Sequence, residues 1–285
     1  MKGKSIFLWQ RWSVDGANPG EIARRLQDLN MEAVLIKTAD GPRKYRHWRH
    51  GDNATLRFIG ALNAADIETW GWSFCYGRDW RGEGEIAAIE VNRLGLAGHV
   101  FDVEGAALTR ANADRNVPGT IDIFKRSATG KPTGFLSFAL FHDPDRPRNF
   151  HPWTVLIEAM RVADFGMPMT YWYKNHSVAD YREPETIVHE SISQWRRVTD
   201  KPIIPIGRAY DGEGDYVEVT DYDRFYEACA DTGSPGWSFW SLQHVPHRSF
   251  EMLASIPRGD HMNPPPLTVE ERLDRLERKV FGLSQ

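Results

Sequence analysis

Short apolar runs alternate along the chain with stretches whose apolar residues recur every three or four positions. Runs at 6–10, 33–37, 71–76, 99–104, 134–142, 169–173, 203–206 and 237–242 predict strands. Helical spacing covers 55–64, 83–94, 119–126, 152–162, 184–198, 221–230 and 249–255. One more helix opens at Asn18-Pro19, a capping residue followed by proline at the first helical position. It continues through Ile22, Leu26 and Leu29.

Strand–helix alternation of this kind implies parallel pairing through right-handed crossovers. Eight such units predict a single (β/α)8 TIM barrel over residues 1–260. The glycine fingerprints GxGxxG and GxxxxGK[ST] of open nucleotide-binding sheets follow none of the strands. Gly82-Glu83-Gly84 reads as a loop opening a helix. The tetrapeptide Gly-Trp-Ser-Phe occurs at 71–74 and 236–239, on strands that are not equivalent halves of a doubled barrel.

Residues 261–285 read as a proline-rich linker and a short coiled-coil-like helix. Pro264-Pro265-Pro266 breaks the chain, and Thr268 with Glu271 forms a capping-box pattern. Val269, Leu273, Leu276, Val280 and Leu283 then make a heptad seam over 268–283. Such a helix is too short to be stable alone. It either docks on the barrel or pairs with copies of itself, which makes a homo-oligomer.

Composition narrows the function classes. Of 285 residues, 41% are hydrophobic and 26% charged, as in globular proteins. The formal net charge of -4 argues against a nucleic-acid binder, despite the basic, aromatic run at 43–50. No stretch approaches the roughly 20 apolar residues of a membrane span. The first residues lack the apolar core of a signal peptide, so the expectation is a protein cytoplasmic as synthesised. Cys75 and Cys229 show no CxxC or metal-ligand spacing and read as reduced, buried thiols. Asp211, Glu213, Asp215 and Glu218 lack a complete calcium-loop pattern and read as a solvated acidic loop. Neither a metal nor an organic cofactor is implied. Eleven tryptophans exceed what a core usually asks for, and sugar-binding clefts use surplus aromatic faces.

Active sites of such barrels lie at the C-terminal ends of the strands. Those ends carry Gln10 and Arg11, Lys37, Tyr76, Asp102 and Glu104, His142, Tyr171 and Tyr173, Arg208, and Trp240 with Gln243. Asp102 and Glu104, two apart on the fourth predicted strand, face the same way. Two acids held close cannot both ionise freely, so one stays protonated towards neutrality. That is what a general acid needs to protonate a departing glycosidic oxygen. Glu104, nearer the mouth, is the candidate acid, and Asp102 orients it or stabilises the cationic transition state. The alternative is two acids bonded to cations or backbone at a strand end. Gln10, Lys37, Tyr76, His142, Tyr171, Tyr173, Arg208 and Trp240 are candidate substrate contacts. Tyr171 and Tyr173 share one face of the sixth predicted strand and Trp172 takes the other.

The Asp-x-Glu pair on strand four and the aromatic last strand, Trp237-Ser238-Phe239-Trp240-Ser241-Leu242-Gln243, resemble glycoside hydrolase family 25 lysozymes. Those are phage and bacterial barrel enzymes that cut peptidoglycan glycan strands. The resemblance implies Glu104 as general acid, Asp102 as its partner, a polysaccharide substrate, and release from the cell or association with a virion. Family members carry an aspartate on strand one, where residues 6–10 have none, and another late in the barrel, where Asp211 is nearest. A non-catalytic carbohydrate-binding or phage assembly protein on the same scaffold is the alternative.

Overall fold

A computed structural model describes residues 1, 3–10, 13–45, 52–142, 151–174, 176–212 and 215–259. Arg11, the basic run beyond Tyr45, Glu213 and the heptad seam lie outside the described residues. The strands are β1 (Gly3–Leu8), β2 (Ala33–Asp40), β3 (Arg43–Lys44), β4 (Glu68–Cys75), β5 (His99–Val103), β6 (Thr133–Phe138), β7 (Phe165–Met169), β8 (Ile206–Arg208) and β9 (Gly236–Trp240). All except the two-residue β3, antiparallel to β2, pair in parallel. β1 pairs with both β2 and β9, which closes the eight parallel strands into a barrel.

Around it lie α1 (Pro19–Asp28), α2 (Asp52–Ala64), α3 (Trp80–Leu94), a one-turn α4 (Ala106–Thr109), α5 (Ala113–Ser127), α6 (Trp153–Val162), α7 (Pro184–Arg196), α8 (Val219–Asp231) and α9 (Phe250–Ser255). Asn18 Oδ1 accepts from the Gly20 and Glu21 N–H groups, so α1 starts where its cap and proline direct. Gly82-Glu83-Gly84 sits inside α3 instead of in a loop, because Asp79 caps the helix one turn earlier. The glycines serve close packing: a Cβ on Gly84 would lie 2.5 Å from the Thr120 carbonyl.

Three strands depart from the predicted limits. β6 ends at Phe138, and the chain turns under α7, where the Phe141 N–H donates to Gln194 Oε1 at 2.7 Å. β8 is displaced to Ile206–Arg208, with Ile203 in a bridge to Gly166. β7 runs over Phe165–Met169, four residues before its predicted start, despite Gly166 and Pro168. Gly166 is required there because a Cβ would meet the Trp195 ring at 2.6 Å. The repeated tetrapeptide has no shared role: Trp72 packs inside the barrel and Trp237 outside it, against the helices.

The barrel interior is layered. The strand registers set Lys37, Asp102, Met169 and Trp240, one from each alternate strand, at a single height. Beneath them the other four strands supply Phe7, Trp72, Leu136 and Ile206. The lower layer is apolar and fully buried, and the upper one brings two charges to the mouth. At the opposite end, Lys4 is buried. Its Nζ donates to the carbonyls of Leu29, Leu253 and Ile256, tying α1 and α9 to β1. Burial lowers its pKa to about 7, against the pull of Glu32.

Candidate active site

Asp102 is buried, and Glu104, just past the end of β5, is half-buried. The chain turns sharply after it: Gly105 takes φ 51°, a left-handed value that favours glycine, and α4 begins. Ser137 Oγ donates to the Val103 carbonyl at 2.7 Å, so β6 fixes the stem that carries Glu104. The two carboxyl groups hydrogen-bond each other. Burial pushes both upwards, and Asp102 rises well above the carboxylate range because the Glu104 charge and hydrogen bond add to it. Both members of the pair are therefore raised, Glu104 as the sequence reading expects and the deeper Asp102 further.

Aromatic rings gather at the same end of the barrel. Trp240 lies 5.3 Å from Trp72 and 5.4 Å from Phe7, and stacks on Trp9 at 6.5 Å. Tyr171 stands past the end of β7. Burial pushes its phenol well up, and Tyr210, Tyr173 and both carboxylates add to the effect, so it stays a proton donor. Its ring meets Tyr210 edge-on at 6.0 Å, and the Tyr173 and Tyr210 hydroxyls are 2.8 Å apart. Because β7 ends early, Tyr171 and Tyr173 sit on the loop. Trp172 turns into the core, where its Nε1 donates to Asp221. A pocket of about 560 Å³ opens at the ends of β8 and β9, lined by Tyr210, Asp211, Trp240, His244 and Pro246, and neither acid of the pair lines it.

The remaining candidates separate into mouth and scaffold. Lys37 is at the mouth but buried, bonded to Asp40 at 2.9 Å. Tyr76 is exposed, with its hydroxyl 3.3 Å from the other oxygen of Asp40. Gln10 is half-buried beyond β1, and its carbonyl accepts from Ser13. Gln243 Oε1 accepts the Trp9 N–H at 3.2 Å. Arg208 faces inward: Nη1 donates to Asp215 Oδ2 and the Trp172 carbonyl, Nη2 to the Asp215 carbonyl, and Nε to the Tyr210 carbonyl. It braces the loop after β8. His142 is exposed, but its contacts run to Trp153 and Gln194 on α6 and α7, away from the pair.

The acidic loop is solvated only in part, with Glu218 exposed and Asp215 buried. Asp215 is buried on Arg208, Asp211 bonds Arg248 at 2.5 Å, and Glu218 pairs with Lys174. Among the described residues no three His, Cys, Asp or Glu gather as a metal site, and no helix is long and apolar enough to cross a membrane. The sequence reading missed Trp9, Trp72, Tyr210, Asp40 and Glu83. Alternation along β1 and β4 would have found the two tryptophans. Nothing marked Glu83, whose buried carboxylate accepts the Tyr76 and Gly77 N–H groups and shapes the turn after β4.

No protein-family profile matches the chain, and no curated protein matches its sequence. Solved structures do match it. A GH18 chitinase from Pseudoalteromonas aurantia has a TM-score of 0.66 at 12% identity, over 89% of this chain and 98% of that one. The endo-1,4-beta-D-mannanase of Thermotoga petrophila RKU-1 gives 0.63 at 11%, over 87% and 90%. The spore cortex-lytic enzyme SleL of Bacillus cereus gives 0.64 at 10%, over 90% and 74%. At such identities the likeness is one of fold, and the chain is a single (β/α)8 barrel of the shape these enzymes share.

Proposed function

We propose that the protein is a glycoside hydrolase acting on a polysaccharide, with Glu104 as general acid and Asp102 as its partner. The observation that carries this reading is the adjacent, buried Asp102–Glu104 pair at the barrel mouth, the end where Trp9, Trp240 and Tyr171 also gather. The fold likeness to a chitinase, a mannanase and a cortex-lytic enzyme supports it, as does the Asp-x-Glu resemblance to family 25 lysozymes.

The spacing of the pair bears on the mechanism. Paired catalytic carboxyls stand roughly 5–5.5 Å apart in retaining enzymes and roughly 6.5–9.5 Å apart in inverting ones. Asp102 and Glu104 stand two positions apart on one face, so Asp102 lies beside Glu104 and does not face it across the scissile bond. Among the described residues Asp40 and Asp211 are each engaged with a cation. The route that suits two adjacent acids is substrate-assisted, in which the sugar's own 2-acetamido oxygen attacks the anomeric carbon. Glu104 protonates the leaving oxygen, Asp102 holds the acetamido group and Glu104 in place, and Tyr171 donates to the developing charge. The substrate class is then a polymer of 2-acetamido sugars, to which chitin and the peptidoglycan glycan strand both belong.

The test is reducing-end release from chitin oligosaccharides, peptidoglycan and mannan. Release is expected from the first two and not from mannan. Release from mannan alone would overturn the acetamido route. Binding of these polymers without release from any would replace the enzyme with a carbohydrate-binding protein.

A further inference from the structure

The Lys37 ammonium sits in a cage. Its Nζ lies 4.9 Å from the centroid of Tyr45, 5.1 Å from Trp72 and 5.6 Å from Trp9, and 2.9 Å from Asp40 Oδ1. The lysine is 6% exposed, which leaves it no free path to a bound sugar. The registers put it in the same interior layer as Asp102, with β4 between their strands. A cation held among rings in the same interior layer as a buried acid is screened less than a surface charge, although Asp40 takes part of its field.

We propose that Lys37 is a positioning residue for the Asp102–Glu104 pair, its caged ammonium favouring a negative charge on the pair from the same interior layer. This rests on the reading of that pair as the acid. Among the described residues, the titratable groups that act on Asp102 are Glu104 from its own chain segment, Lys37 from β2, the buried Cys75 thiol from β4 and Tyr171 beyond β7. The thiol and the phenol are both pushed well up by burial. Lys37 is therefore the positive charge among these described groups. Asp40 opposes it: its Oδ1 takes part of the lysine's field, and its Oδ2 is held by Tyr76. A pair with one proton supplies a proton to the leaving group and keeps a negative charge for the cationic transition state. A doubly protonated pair lacks the second.

Two readings in parallel test this. One is the pH profile of glycan hydrolysis; the other is a carboxyl carbon-13 titration of labelled protein, which needs no activity. Lys37→Met should move both titration steps of the pair upwards by about one pH unit or more, tenfold in proton affinity. The acid limb of the rate profile should follow. Lys37→Arg should keep both near their native positions. Asp40→Asn should move them the other way, since it frees the ammonium and removes a negative charge. A folded Lys37→Met protein with both steps unmoved would overturn the proposal. If that variant does not fold, an Asp40→Asn protein without a downward shift would do so. If the native protein cuts no glycan, the proposed activity falls, and the carbon-13 titration still decides the role of Lys37.

Discussion

Arg208 Nη1 donates to Asp215 Oδ2 across 2.6 Å, and neither side chain reaches solvent to any extent. The guanidinium also takes the carbonyls of Trp172, Tyr210 and Asp215, so this single residue locks the loops after β7 and β8 together. Those loops carry Tyr171 and Tyr210. Asp215→Ala strips a buried cation of its counter-charge, and removing one partner of such a pair costs about 3–5 kcal/mol. Urea unfolding should show a loss of that order, and a loss under ~1 kcal/mol would mean that the pair is open to water.

Two buried histidines should each reduce stability in mild acid, against the raised carboxyls of Asp102 and Glu104, which act with the opposite sign. His99 is buried, with Nε2 2.9 Å from Ser73 Oγ and Nδ1 unpartnered, and burial lowers its pKa from 6.5 to about 3. The unfolded chain binds a proton below pH 6.5 that the folded one refuses until about 3. The stabilisation is therefore complete above 6.5 and lost as pH drops through that window. One histidine contributes a slope of up to about 1.4 kcal/mol per pH unit. His151, lowered to about 4 by burial, adds a second contribution with the same sign. Denaturation midpoints between pH 4 and 7 measure this, and a folded His99→Gln protein should show a shallower slope than the native one.

Trp240 links the wall of the site to its floor. Truncation to alanine removes ring contacts with Phe7, Trp9 and Trp72 and should cost about 3 kcal/mol, low for a tryptophan because its outer face is open. Trp240→Phe should keep most of that stability and weaken binding of chitin oligosaccharides, read by calorimetry. Unchanged affinity in the phenylalanine variant would remove Trp240 from the binding surface.

Much of this was legible in the sequence because it follows from local periodicity. Strand and helix alternation specifies the barrel, and Asn18-Pro19 specifies where α1 starts. Asp102 and Glu104 could be placed on one face because strands alternate with period two. What could not be read depends on neighbours distant in sequence. Arg208 looks like a mouth residue until Asp215 folds back on it seven positions later. Glu83 has no local mark, since its partners are N–H groups of the preceding turn. β7 was misplaced because Gly166 and Pro168 argue against a strand, and only the Trp195 ring across the barrel wall explains the glycine. Both acids are raised, and the greater rise of Asp102 depends on its depth in the barrel layer, which no local pattern states.

The central claim is that Glu104 delivers a proton to the leaving oxygen. General-acid assistance is worth roughly 10²–10⁴-fold when the leaving group is poor, and little when the leaving group departs as a stable anion. The decisive measurement is the activity of Glu104→Gln on a chitin oligosaccharide and on a nitrophenyl glycoside of the same sugar, each relative to the native protein. The account predicts a loss of about 10²-fold or more on the oligosaccharide and a much smaller loss on the nitrophenyl substrate, with folding unchanged. Equal losses on both, or none on either, would contradict it and place the acid elsewhere.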